Sequence, residues 1–378
     1  MSTPIKLFLV CSGLGHINRG FESFTQECFD ALSGEPELDV TLFKGGGPSD
    51  KKQVVLWNLP RNAPLTERLG RITDKGGYWL EQVTFTLSLL PHIAWQKPEV
   101  IYFSDCNIGN LLWHWRRLTR QSYKLLLSNG GPLKPPFPRW DFVQQVAPSH
   151  VEAALAVGQD AEKQRLVPYG IHMEAEPKVL SPEERAELRR GLGLPGDRPI
   201  ILSVGAVNKG HKRMDYVIRE VAALTRVHPY LVILGQTDEE TPEVRALADQ
   251  MLGNDNFQIR TVPHEEIAAY YQSADVFVLA SLNEGFGRVF LEALSWGVPC
   301  LAHDYVLTRY VLGDAGLTAD LGQQGSLTQL LCKALEQRGL LTQVQRHRMA
   351  YERFSWQHLR PEYVQMLHKC TQQETGRA

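Results

Sequence analysis

Apolar positions along this chain fall into two alternating patterns. Short unbroken runs, such as IKLFLV (5–10), LDVTLFKG (38–45), EVIYFSD (99–105) and YKLLLSNGG (123–131), predict strands buried on both faces. Between them lie segments with helical spacing, FESFTQECFDAL (21–32) and NLLWHWRRLTRQ (110–121), and VQQVAPSHVEAALAVG (143–158) reads as a short strand followed by a helix. The rhythm breaks at 167–199, a stretch rich in Pro, Gly and charge that contains a capped helix, SPEERAELRRGLGL. It then resumes with strands PIILSVGAV (199–207), YLVILGQT (230–237), FQIRTVP (257–263), DVFVLAS (275–281) and VPCLAHD (298–304), each followed by a helical pattern, and helices close the chain to about 370. Strand–helix alternation of this kind predicts parallel sheets with helices on both faces. The expected fold class is α/β, with two Rossmann-like domains facing each other across a cleft. The expected boundaries are 1–172 and 173–355, with a C-terminal helix of about 356–378 packing back on the first domain.

Length supports two cores, since 378 residues exceed what one ordinary core holds. A net charge of −2 gives no whole-chain attraction to nucleic acid, and no nucleic-acid partner is expected. The six cysteines are scattered without a CxxC pair, which argues against a zinc cluster and for a reducing compartment. No stretch has the ~20 apolar residues of a spanning helix. The expectation is a cytoplasmic protein, with peripheral contact at the inner membrane face left open.

The stretch EGFGRVFLEALSWGVP (284–299) concentrates the chemistry. It follows strand DVFVLAS, and a helix is expected to begin near Arg288. The free N–H groups and the dipole of a helix start suit a diphosphate, and Gly285 and Gly287 let backbone approach a ligand closely. Glu284 can accept hydrogen bonds from hydroxyls. Glu292, one turn into the helix, can accept them from a ribose diol. A plain strand–turn–helix with acidic residues near the helix start accounts for the same spacing, so both readings stand on these residues alone.

The wider pattern resembles a known family. Strand, S-x-x-E-G-F-G and L-E-A-x-x-x-G-x-P together match the E-x7-E signature of retaining GT-B-fold glycosyltransferases (group 1, family 4-like). VPYGIH, LVILGQTDE, YYQSADVFVLAS and FSWQHLRPEYVQML resemble further segments of that family, so nearly all of the C-terminal half is similar to it, together with the first glycine loop. The resemblance implies a nucleotide-diphosphosugar donor, with UDP the most frequent carrier and GDP next, and transfer with retained anomeric configuration. It implies no catalytic metal and no cofactor beyond the donor. It places Glu284 on the donor sugar, Glu292 on the ribose, and the amides of Gly285, Phe286, Gly287, Arg288 and Val289 on sugar and phosphates.

The family's G-R-x4-K-G segment corresponds to Gly205–Asp215, where Ala206 stands at the arginine position. Lys212, with Arg213 beside it, is the expected cation on the departing phosphate; His211 or Lys209 could replace the arginine, and a solvated basic loop is the alternative. In CSGLGHINRG (11–20), Gly13 and Gly15 allow close approach, and His16 and Arg19 are expected to face the cleft, His16 touching donor or acceptor or else capping a helix. Relatives carry a histidine after the strand matching EVIYF. Here Ser104-Asp105 occupies that place, and Asp105 stands either at the reacting centre or as a helix cap. Asn129 is a weaker acceptor-site candidate, and Arg260–Pro263 is the expected surroundings of the base.

The basic aromatic segment WHWRRLTRQSYK (113–124) fits a membrane-surface helix or, more simply, a surface helix with Trp113 turned inward. The loops expected to choose the acceptor are 45–53, 71–79 and 132–140, whose composition names no acceptor class. The expected function is transfer of a hexose or N-acetylhexosamine to a hydroxyl of a polysaccharide, lipid or small molecule. A sugar-nucleotide epimerase or a non-catalytic nucleotide-sugar-binding homologue are the alternatives.

Overall fold

Both sheets of the chain are parallel throughout in the computed structural model, which describes residues 3–17, 19–73, 75–131, 133–336 and 341–373. The chain divides into two units, one running to His172 and resuming at Trp356, the other spanning Met173–Ser355. The first unit holds β1 (Ile5–Cys11), β2 (Leu38–Lys44), β3 (Gln53–Val55), β4 (Val100–Phe103), β5 (Lys124–Asn129), β6 (Phe142–Gln145) and β7 (Gln164–Leu166), in sheet order β3-β2-β1-β4-β5-β6-β7. The second holds β8 (Ile200–Val204), β9 (Tyr230–Leu234), β10 (Phe257–Arg260), β11 (Val276–Leu279), β12 (Cys300–His303) and β13 (Gly316–Ala319), ordered β10-β9-β8-β11-β12-β13.

The central strands are buried along their whole length, which is why they read as apolar runs. The strands that the sequence pattern hides are short and lie at or next to sheet edges. β3 and β13 are half-exposed throughout, β7 has only its first residue buried, and none carries an apolar run. β13 corrects the expectation that only helices follow 304.

Segment 71–79 is a second correction. It is not an open loop: helix Pro64–Thr73 ends in it and helix Gly76–Gln96 begins in it, with Asp74 outside the described residues. The paired glycines read as a breaker, but they sit at a helix start, where their backbone freedom costs little.

Helix Pro182–Gly191 opens with the capping box foreseen in SPEE, Ser181 and Glu184 exchanging bonds across its first turn. It is tied to the second sheet through Asp275, which receives Arg185 at 2.9 Å, Arg189 at 2.7 Å and the Ile200 N–H at 2.7 Å. In the first unit Tyr363, on the closing helix Trp356–Gln372, donates to the Pro168 carbonyl at 2.9 Å and accepts from Gln144 at 2.8 Å.

The basic segment 113–124 lies largely on helix Cys106–Thr119. Trp113 packs against the first core beneath Arg117 and Arg139. Arg116 is buried and ion-paired with Asp141, and Lys124 reaches the Gln373 carbonyl at 2.6 Å. These two cations are spent inside the unit, which removes half of the basic face that a membrane reading requires. Among the described residues no helix is long and apolar enough to cross a membrane.

Candidate functional site

Strand order in each sheet reverses once, between β1 and β4 in the first and between β8 and β11 in the second. In open α/β sheets the crevice beyond the carboxyl ends of two such strands is where ligands bind.

In the second unit this crevice is formed by the loops after β8 and β11. Asn208 shapes the first loop, its side-chain oxygen accepting the N–H groups of Lys212 at 2.8 Å and His211 at 3.3 Å. The Lys212 stem then lies along Gly205, where a Cβ would come within 3.1 Å of it. Its Nζ reaches Glu284 Oε1 at 2.5 Å, with both side chains mostly buried. His211 is more exposed; its Nε2 lies 3.2 Å from the Asn283 carbonyl and 3.7 Å from Glu284. The Glu284 N–H donates to the Tyr305 hydroxyl at 2.8 Å, and burial pushes the Tyr305 phenol up to about 12.

The turn Glu284–Gly287 feeds helix Arg288–Ser295, with Gly287 at its N-cap in the left-handed region at φ 72°. A Cβ there would press within 2.7 Å of the Phe290 ring, so this position needs glycine on two counts. Phe286 and Arg288 are buried, Phe286 against Phe354. Burial of both side chains leaves backbone N–H groups as what this turn can offer a ligand. Glu292 sits one turn further in and is held by Tyr271, whose hydroxyl donates to Oε2 at 3.0 Å and approaches the Val289 carbonyl at 3.4 Å.

Two neighbouring cations have partners other than Glu284. Arg213 adopts a left-handed backbone at φ 53°, stacks on Tyr216 and donates to the carbonyls of Leu321 at 2.8 Å and Ala280 at 3.3 Å. These bonds tie loops together, and Arg213 does not share the Lys212 pairing with Glu284. Lys209 pairs with Glu243, leaving His211 as the candidate that stands next to Glu284 in the place of the absent arginine. Arg260 is exposed and donates to the Tyr270 hydroxyl at 3.2 Å; Thr261 bonds the Gly235 carbonyl at 2.6 Å.

In the first unit the loop after β1 holds Gly13, Gly15 and His16. Gly15, at φ 91°, crosses Gly46 so closely that a Cβ would lie 2.2 Å from its carbonyl carbon. The His16 ring lies over Gly45 and Gly46 and does not cap a helix; the N-cap of helix Gly20–Leu32 is Arg19, without a side-chain capping bond. Asp105 stands at the N-cap of helix Cys106–Thr119, yet its carboxylate makes no capping bond and instead accepts from Tyr78. Asn129 is buried with both amide ends satisfied, by Gln145 at 2.8 Å and the Leu133 N–H at 2.8 Å, so it is a structural residue. Among the described residues no group of His, Cys, Asp and Glu side chains is arranged to hold a metal ion.

Two parallel α/β units, the second with an anion-suited helix start between paired charges, define the GT-B fold of nucleotide-sugar enzymes. Solved structures agree. A sucrose-phosphate synthase from Thermosynechococcus elongatus superposes with a TM-score of 0.76 at 19% identity, over 97% of this chain and 98% of its own. HepE from Anabaena, in complex with UDP and glucose, gives 0.73 at 13% identity, over 96% and 99%. Residues 184–353 match the family model for glycosyl transferases group 1. A D-inositol 3-phosphate glycosyltransferase from Acidothermus cellulolyticus is 29% identical over 213 residues, 53% of this chain. The match spans 46% of that relative's length.

Sequence reasoning missed Tyr305 and Tyr271. Tyr305 accepts the Glu284 backbone N–H and Tyr271 donates to the Glu292 carboxylate, and no local spacing marks either one.

Proposed function

We propose that this protein is a retaining glycosyltransferase that moves a hexose or N-acetylhexosamine from a UDP-sugar to a hydroxyl. The observation that carries the reading is the Lys212–Glu284 pair standing at a glycine-opened helix start, with Glu292 one turn inside. On this reading a donor diphosphate lies over the amides of 285–289 and draws Lys212 away from Glu284. Glu284 is then released to accept hydroxyls of the sugar, and Glu292, fixed by Tyr271, accepts the ribose diol. As the sugar C1–O bond to phosphate breaks, Lys212 and the helix start take up the charge on the leaving diphosphate. The acceptor oxygen bonds to C1 on the same face, and its proton passes to the departing phosphate oxygen. Protein groups supply position and field, and with a lysine and a helix end on the phosphates no divalent cation is required.

UDP is favoured over GDP by the UDP complex of HepE. The inositol 3-phosphate in the name of the Acidothermus relative is one candidate acceptor, beside polysaccharides and lipids. The test is calorimetric titration with UDP, GDP and ADP, with and without magnesium, repeated on Glu292→Ala. Metal-independent binding of UDP that is lost in the variant is expected. Binding of none of the three, or equal binding by the variant, refutes the site. Isomerised donor formed without acceptor would replace transfer with epimerisation.

A further inference from the structure

The crevice between β1 and β4 in the first unit carries a charge balance that the donor site does not explain. Three carboxylates converge there: Glu22 from helix Gly20–Leu32, Glu81 from helix Gly76–Gln96, and Asp105 after β4. Arg61 is committed to Glu81, with its guanidinium at 2.6 and 3.0 Å and its N–H at 2.9 Å, and Ser12 adds a further bond at 2.9 Å. That leaves Glu22 and Asp105 without an ion-pair partner among the described residues. Arg19, the other cation acting on Glu22, is exposed at the rim.

Glu22 is only 6% exposed; its carboxylate takes a bond from its own backbone N–H, and among the described residues no side chain is shown donating to it. A Cβ on Gly13 would lie 2.5 Å from its Oε1, so the glycine leaves room for this carboxylate. Burial raises both the Glu22 and the Asp105 carboxyl above their ordinary range. Beside Asp105, Gln82 is 1% exposed; Asn107 occupies its oxygen at 2.6 Å, while its Nε2 faces the Asp105 carboxylate without completing a bond to any described group. A buried donor left unfilled costs free energy. Here it stands beside the Asp105 carboxylate, which accepts from Tyr78, at a ligand-binding position of the sheet. Tyr78, 46% exposed, closes the outer side through its bond to Asp105.

We infer that this crevice binds the acceptor through an uncharged polyhydroxyl end, Glu22 and Asp105 accepting a pair of its hydroxyls and Gln82 Nε2 donating to a hydroxyl oxygen. The inference rests on the transferase reading above and narrows it. A phosphate or carboxylate on the accepting ring would meet two carboxylates at close range, a like-charge contact that selects against it. The acceptor is therefore a neutral sugar or cyclitol at its reacting end.

The test uses the full chain with UDP present and measures, by ligand-observed NMR titration, the affinity of two probe pairs: myo-inositol against D-myo-inositol 3-phosphate, and glucose against glucose 6-phosphate. The neutral member is expected to bind about tenfold more tightly, or better, in at least one pair. Asp105→Asn and Glu22→Gln should each shrink that ratio. Tyr78→Phe, at an exposed ring, should weaken the neutral probe without changing the fold. Tighter binding of the phosphorylated member, a ratio unchanged in both carboxylate variants, or binding of no probe overturns the inference. UDP binding measured in the same samples reports separately on the donor site, so that failure here can leave the donor reading standing.

Discussion

Replacing Lys212 with methionine tests the centre of the donor site, because the stem is kept and only the charge is lost. The Nζ–Oε1 separation is 2.5 Å and the side chains are 16% and 10% exposed. At an effective dielectric of about 20 the pair attracts by roughly 6–7 kcal/mol, most of which offsets the desolvation of the two ions. Removing the lysine leaves Glu284 a largely buried carboxylate whose nearest remaining partner is the more exposed His211, at 3.7 Å. Breaking a buried pair on one side costs about 3 kcal/mol. Lys212→Met is therefore expected to lower the urea midpoint of the second unit, read by hydrogen exchange on its own peptides. Lys212→Met combined with Glu284→Gln should recover part of the loss, with a coupling of about 2 kcal/mol. Transfer should fall about 10²–10³-fold, the cost of losing one preorganised group at a developing anion. Additive single effects together with undiminished donor turnover would refute the assignment of both residues.

The other predictions address neighbouring contacts. Arg213→Ala should lower stability by about 1–3 kcal/mol through its two lost carbonyl bonds while leaving UDP affinity within about twofold; a large drop in affinity would return this arginine to the phosphate. Tyr271→Phe removes the donor to Glu292 and should cost about 1.5–3 kcal/mol of stability or of nucleotide binding, read by melting and calorimetry; no change in either would free Glu292 from it. Glu22 and Asp105 have raised folded-state carboxyl pKa values, so the folded chain holds more protons than the unfolded one between the unfolded and folded values. Their contribution to stability therefore falls as pH rises through that window. Glu22→Gln should melt higher than the parent at pH 7, and the gain should vanish on acidification; an equal or lower melting temperature at pH 7 would contradict the burial of an unpaired charge.

Much of the architecture was legible because parallel strands buried on both faces leave an unmistakable run of apolar residues, and nearly every central strand has one. The edge segments QVV, QRL and GLTA were silent for the complementary reason: half-exposed strands need no such run. In the site, the glycine turn and two glutamates could be found from spacing, since one strand–turn–helix carries them all. What spacing could not separate was Lys212 from Arg213. They are adjacent and both basic, but the left-handed backbone at Arg213 turns it onto Tyr216 while Lys212 goes to Glu284. Adjacency in sequence fixes charge density along a loop; the sign of one φ angle goes with which cation pairs with Glu284.

The two crevices share one topology and differ in charge. Each lies at the reversal of strand order, where diverging loops leave space. In the second unit, a helix start, a lysine and backbone amides gather partial and full positive charge beside Glu284. In the first, helix starts are present as well, but Glu22 occupies the opening turn of one and Asp105 the cap position of another, so carboxylates take up the positive ends that would otherwise draw an anion. Residues 12, 22, 61, 81 and 105 come from five separate places in the chain, and no motif joins them. Their convergence is a property of the fold, and on the inference drawn above it is there that the reacting end of an acceptor would be read.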